Sequence, residues 1–173
     1  MSETRKIVAK VFIEGSIDDV WHEITKTDEL QGAMFNMRLH TDGLGLGGHI
    51  RMRTADGKYT GVVGEILEFD PPHRYGHTFK FTNYDDPPCK VFYDLEEVSG
   101  GVEFTLTAEE VPVATKTAKQ MKGGAGFIVK TLKAIIENGT PPLGTRALFV
   151  MFKVMAPFSP KSTLSEHWPL PEV

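Results

Sequence analysis

The chain of 173 residues has one cysteine, Cys89, so no internal disulfide can form, which suits a reducing compartment. That thiol, in DDPPCKVFY, has no evident base or helix N-terminus beside it and reads as structural rather than nucleophilic. Long apolar runs are also missing. The strongest candidate, RALFVMFKVMAPF, has ten residues between Arg146 and Pro157, and one of these is Lys153. As a helix that stretch measures roughly 15 Å, about half the hydrocarbon core of a bilayer, so it does not span. The opening MSETRKI is polar and lacks an apolar signal segment, which points to a cytoplasmic location. Charge of one sign is not in excess: 19 basic and 23 acidic residues give a net charge of −4. The basic residues form no stripe alternating with aromatics, and nucleic-acid binding is not expected.

Motifs for metal, cofactor and covalent chemistry are equally scarce. Of the six histidines, His73 and His77 are four apart, which on a strand separates them by about 13 Å, so no metal site is expected. Gly43, Gly45, Gly47 and Gly48 lack the Lys-Ser/Thr ending of a phosphate loop and precede a strand pattern; they read as bends, and no cofactor is implied. Glu65 and Glu68 have odd spacing, which on a regular strand puts them on opposite faces and argues against paired carboxylates. No Gly-x-Ser-x-Gly elbow occurs, and no catalytic residue is assigned.

What is present is ordered patterning with an apolar share of 40%, ordinary for one domain with a buried core. Residues 6–14 alternate as a strand. SIDDVWHEITKTDEL then reads as a helix capped by Ser16, with Ile17, Val20, Trp21 and Ile24 at helical spacing. A second short helical turn is expected near Leu30 to Phe35. Strands follow at about 47–54, 58–69 and 74–82, punctuated by ADGK and DPPHR, and a further pair, CKVFYDLEEV and GVEFTLTAEEV, brings the count to six. From Ala114 to Asn138 the period changes to that of a long amphipathic helix, in which Gly123, Gly124 and Gly126 predict a kink or a looser first part. Gly139, Pro141 and Pro142 end it.

This is an α+β arrangement in which a curved antiparallel sheet wraps a long helix. Alternation puts Tyr75, His77, Phe79 and Phe81 on one strand face. On other strands Ile50 with Met52, Val91 with Tyr93 and Leu95, and Val102 with Phe104 and Leu106 share faces. All of them would look toward the helix stripe that includes Met121, Ile128 and Leu132. His77 and Tyr93 are the polar groups most expected inside, either orienting a ligand's oxygen or bonding each other as core residues.

The order SIDDVWHEITKTDEL, GLGGHIRMR, GKYTGVVGEILEFDPPHRYGHTF, LEEVSGGVEFTLT and GFIVKTLKAIIENG resembles the START-like SRPBCC superfamily, the helix-grip fold of the birch pollen allergen. Within it the chain is most similar to homologues of activators of the ninety-kilodalton heat-shock protein's ATPase. The resemblance covers about residues 6–139 and implies a pocket between sheet and helix for an apolar small molecule: a lipid, sterol, polyketide or aromatic compound. The ligand-binding candidates it implies are Met52, Tyr75, His77, Phe79, Phe81, Tyr93, Phe104, Leu106, Met121, Ile128 and Leu132. The superfamily also hosts cyclase- or dehydratase-type enzymes and chaperone-associated modules, which stand as alternatives. Many relatives carry tryptophan near Met34 and near Gly124; the residues here either enlarge the interior or accommodate an extra segment.

That extra segment, residues 140–173, is expected as a C-terminal extension: an amphipathic helix over 144–156 and an extended, proline-rich tail. Leu148, Met151, Phe152 and Met155 form its apolar stripe. The helix can pack on its own domain, form a homodimer contact, or touch a membrane surface peripherally.

Overall fold

A computed structural model describes residues 3–172. Strand β1 (Thr4–Ile13) leads into helix α1 (Ile17–Thr25), where the Ser16 hydroxyl accepts the Asp19 N–H at 3.1 Å and Asp18 and Asp19 sit at the positive helix end. A single 3₁₀ turn, Gly32–Met34, stands where a second short helix was expected. Then come β2 (Arg38–Thr41), β3 (His49–Arg53), β4 (Thr60–Asp70), β5 (Arg74–Phe81), β6 (Cys89–Val98) and β7 (Gly101–Pro112).

The seven strands form one antiparallel sheet in the order β1-β7-β6-β5-β4-β3-β2. The expected six omitted β2, which is only four residues long and ends the sheet by pairing Arg38 with Arg53 and Leu39 with Met52. So short an edge strand carries too few alternations to show a period.

Helix α2 (Lys116–Asn138) is continuous through its glycines. Thr115 caps its start through the Ala118 N–H at 3.1 Å, and Gly139, at φ 76°, ends it with its N–H on the Ile135 carbonyl. Gly123 and Gly126 have open space where a side chain would project, so each costs helix propensity, about 1 kcal/mol, without marking a break. The buried stripe of Ala118, Met121, Ala125, Val129 and Leu132 lies on the sheet and offsets that cost.

Packing is tightest where α1, α2 and strands β1, β6 and β7 converge: Ile13, Val20, Val102, Phe104 and Leu132 have no exposed surface. Helix α3 (Leu143–Met155) has no buried residue. The tail beyond it is a chain of three 3₁₀ turns, Ala156–Phe158, Lys161–Thr163 and Ser165–His167, rather than extended. It is docked rather than loose. Leu164 bridges Tyr59, the Ser165 N–H donates to the Lys58 carbonyl at 2.9 Å, and Thr163 is buried.

Candidate ligand-binding cavity

Between the sheet and the first half of α2 lies a cavity of about 1130 Å³. Strand alternation builds its floor, because Tyr75, His77, Phe79 and Phe81 on β5 point the same way, joined by Tyr93 on β6 and Leu106 on β7. Met52 on β3 forms a side, and Met121 and Ile128 hang from α2. Two of the candidates, Phe104 and Leu132, are not at the wall. Both are fully buried at the end where sheet and α2 close on each other, Phe104 stacked 6.1 Å from Tyr93.

Three further stretches form the wall. The sequence pointed to Met34 and Gly124 only as places where the interior could be enlarged and to the 144–156 helix only as one able to pack on its own domain, and it did not single out Phe35, Tyr59 or Thr60. The loop at Met34, Phe35 and Met37 is pinned by Gln31, whose side-chain amide donates to the Lys26 carbonyl at 2.9 Å. Phe35, at φ 56°, stacks on Phe127 of α2 at 4.6 Å with ring planes 9° apart. The β3–β4 hairpin contributes Tyr59 and Thr60. Helix α3 contributes Phe149 and Phe152, which approach Phe127 at 6.5 Å and Phe35 at 6.4 Å. The face of α3 turned to the cavity therefore includes Phe149 and Lys153, whereas Met151, placed in the expected stripe, is half exposed. Gly124 lines the cavity too; a side chain there would meet the Phe35 ring 3.7 Å away.

Charges stay at the mouth. Asp56, Lys119 and Lys153 border the cavity but are exposed, whereas the floor holds the neutral groups Tyr75, His77 and Tyr93, each nearly fully buried. His77 Nδ1 lies 2.7 Å from the Thr78 carbonyl oxygen and Nε2 3.4 Å from the Tyr93 hydroxyl. The approach to Thr78 depends on Gly64. A Cβ at that position would run into the Thr78 carbonyl and come 3.3 Å from His77 Nδ1. Burial pulls the imidazole down to about 4, opposed only by the Thr78 bond, so it is neutral at physiological pH. Burial also pushes both tyrosines above their ordinary range, and Tyr93 adds to the rise at Tyr75.

The remaining candidate chemistry lies elsewhere. Cys89 is buried and pushed up to about 11 by that burial, which suppresses its thiolate. His73 is exposed in the β4–β5 turn. Glu65 and Glu68 are both exposed; the bulge between Ile66 and Glu68 removes the opposition of faces expected of a regular strand, and Glu68 pairs with Arg74 away from the cavity. Among the described residues no group of three or more His, Cys, Asp or Glu side chains could hold a metal, and no helix is long and apolar enough to cross a membrane.

Comparison with solved structures places this architecture in known company. CalU16 from Micromonospora echinospora shares 21% identity over 86% of this chain and 84% of its own, with a TM-score of 0.59. The Aha1 dimer from Colwellia psychrerythraea shares 16% over 78% of this chain and 98% of its own, with a TM-score of 0.61. DynU16, a protein of the dynemicin biosynthetic locus, shares 21% over 79% of this chain and 48% of its own, at a TM-score of 0.61. At these identities the likeness is one of fold. No curated protein matches the chain. The sequence pattern of the family described as Activator of Hsp90 ATPase homolog 1-like protein matches residues 14–137, and the chain belongs to that family.

Proposed function

We propose that the protein binds an apolar small molecule, a lipid, sterol, polyketide or aromatic compound, in the cavity between the sheet and α2. The observation that carries this reading is the cavity itself: about 1130 Å³ with aromatic and aliphatic walls and its charges confined to the mouth. Met52, Phe79, Phe81, Leu106, Met121 and Ile128 then supply the apolar contacts, and Tyr75, His77 and Tyr93 the polar ones. Similarity to a protein of a biosynthetic locus is in keeping with such a ligand. Residues 14–137 hold the family's fold, so residues 1–139 act as the binding domain and 140–173 as an extension across its mouth. Native mass spectrometry and thermal shift against lipids, sterols and polycyclic aromatics test the reading. A retained adduct and a raised melting temperature are expected; no adduct and no shift across the library overturn it.

A second reading concerns the partner. The outer side of α3 exposes Met151, Val154 and, just beyond, Phe158, at 50%, 64% and 79%, an apolar row suited to a second copy of this chain. The similar Aha1 protein was solved as a dimer. Sedimentation should give a dimer that Met151→Glu with Val154→Glu converts to monomer; a monomeric wild type removes this reading.

A further inference from the structure

The tautomer of His77 specifies one more property of the ligand. The Thr78 carbonyl oxygen can only accept, so at 2.7 Å it fixes the imidazole proton on Nδ1 and leaves Nε2 with its lone pair turned inward. Three rings meet there: Tyr75, His77 and Tyr93 have mutual centroid distances of 5.2 to 5.7 Å. The Tyr93 hydroxyl is a distant partner for Nε2 at 3.4 Å, and the Tyr75 hydroxyl, on a residue 2% exposed, makes no hydrogen bond among the described residues and is not itself fully enclosed, so it opens on the cavity. Polar groups that face an apolar cavity with weak or no protein partners are costly to dehydrate unless a ligand satisfies them.

Resting on the reading that the cavity takes an apolar small molecule, we infer that the ligand is neutral and enters with a hydroxyl, phenolic, enolic or alcoholic, foremost. That hydroxyl donates to His77 Nε2 and accepts from Tyr93 or Tyr75. A carboxylate has no place at this floor, because the charged groups at the wall, Asp56, Lys119 and Lys153, are all exposed at the mouth. An ether offers Nε2 no proton, and a site built around an acceptor discriminates against the analogue that lacks the donor.

Three fluorescent probes of one shape test this: 1-hydroxypyrene, 1-methoxypyrene and 1-pyrenecarboxylate, titrated into the full chain at pH 7. The hydroxyl compound is expected to bind about tenfold more tightly than the ether, with the carboxylate weakest. His77→Phe, which removes the acceptor, should bring hydroxyl and ether to within about twofold by weakening the hydroxyl compound, whereas Tyr93→Phe, which keeps the ring and leaves Nε2 in place, should preserve the preference for the hydroxyl. Equal affinities for hydroxyl and ether in the wild type, or a preference that survives His77→Phe in a folded variant, overturn the inference while the cavity reading stands. If none of the three probes binds, this inference falls, and the cavity reading falls with it only where the lipid, sterol and aromatic library also leaves no adduct.

Discussion

His77 Nε2 faces the Tyr93 hydroxyl at 3.4 Å across adjacent strands, on a floor with no charged neighbour. Its pKa, held at about 4 by burial, lies below the ordinary 6.5 of the unfolded chain. Between these values the unfolded state binds the extra proton. Stability is therefore constant above pH 6.5, falls as pH drops from there toward 4, and levels off below. At pH 5 the loss is about 2 kcal/mol. Urea unfolding of wild type and His77→Gln at pH 7 and pH 5 should show a pH-dependent loss of that order in the wild type that the variant lacks.

Leu132 and Ile128 are one turn apart on α2 but differ in surroundings, the first in solid packing and the second at the cavity wall. Leu132→Ala should cost about 3 kcal/mol of unfolding free energy, and Ile128→Ala clearly less, because the second site opens onto existing space. Chemical denaturation measures both. A larger loss for Ile128→Ala would mean that the cavity is filled by repacking in solution.

Gly123 and Gly126 lie in helical backbone with nothing within 4 Å of an added Cβ, whereas Gly64 sits against the Thr78 carbonyl. Gly123→Ala and Gly126→Ala should each stabilise by up to about 1 kcal/mol. Gly64→Ala should destabilise and displace His77. Differential scanning calorimetry separates the two directions.

Much of this arrangement was legible in the sequence because it rests on short-range periodicity. Alternation alone put Tyr75, His77, Phe79 and Phe81 on one side, and the 3.6-residue stripe of α2 selected Met121 and Ile128. It failed where chain geometry is local and aperiodic. Phe35 reaches the wall through a left-handed backbone conformation, and Tyr59 and Thr60 through a hairpin end, neither of which has a period to read. Phe104 and Leu132 obey the pattern yet miss the cavity, since alternation gives a side chain's face but not how far sheet and helix stand apart there. The glycines of α2 were weighed by propensity, which tertiary burial of its stripe overrode.

Arg53 and Arg51 hold the tail by its carbonyls: Arg53 donates to Trp168 at 2.8 Å, and Arg51 to Pro169 at 3.2 Å. In a Trp21→Phe background Trp168 is the single tryptophan. Arg53→Ala should release it, seen as red-shifted, more quenchable emission and faster proteolysis between residues 156 and 165, with little change in global unfolding. Unaltered emission would mean that the bridge of Leu164 to Tyr59 suffices.

Helix α3 has no buried residue, yet the chain is fastened at both of its ends, by the Gly139 cap of α2 on one side and by the arginine-held tail on the other. Between those anchors α3 joins no strand pair and meets the domain through Phe152 against Phe35 and Phe149 against Phe127, so under the proposed function it bounds the mouth while Tyr75, His77 and Tyr93 form the floor. Substitutions at the outward Val154 of α3 should leave equilibrium affinity for the proposed ligand nearly untouched, whereas those at the wall residues Phe149 and Phe152 should lower it. Substitutions at Tyr75, His77 or Tyr93 should alter residence time alone.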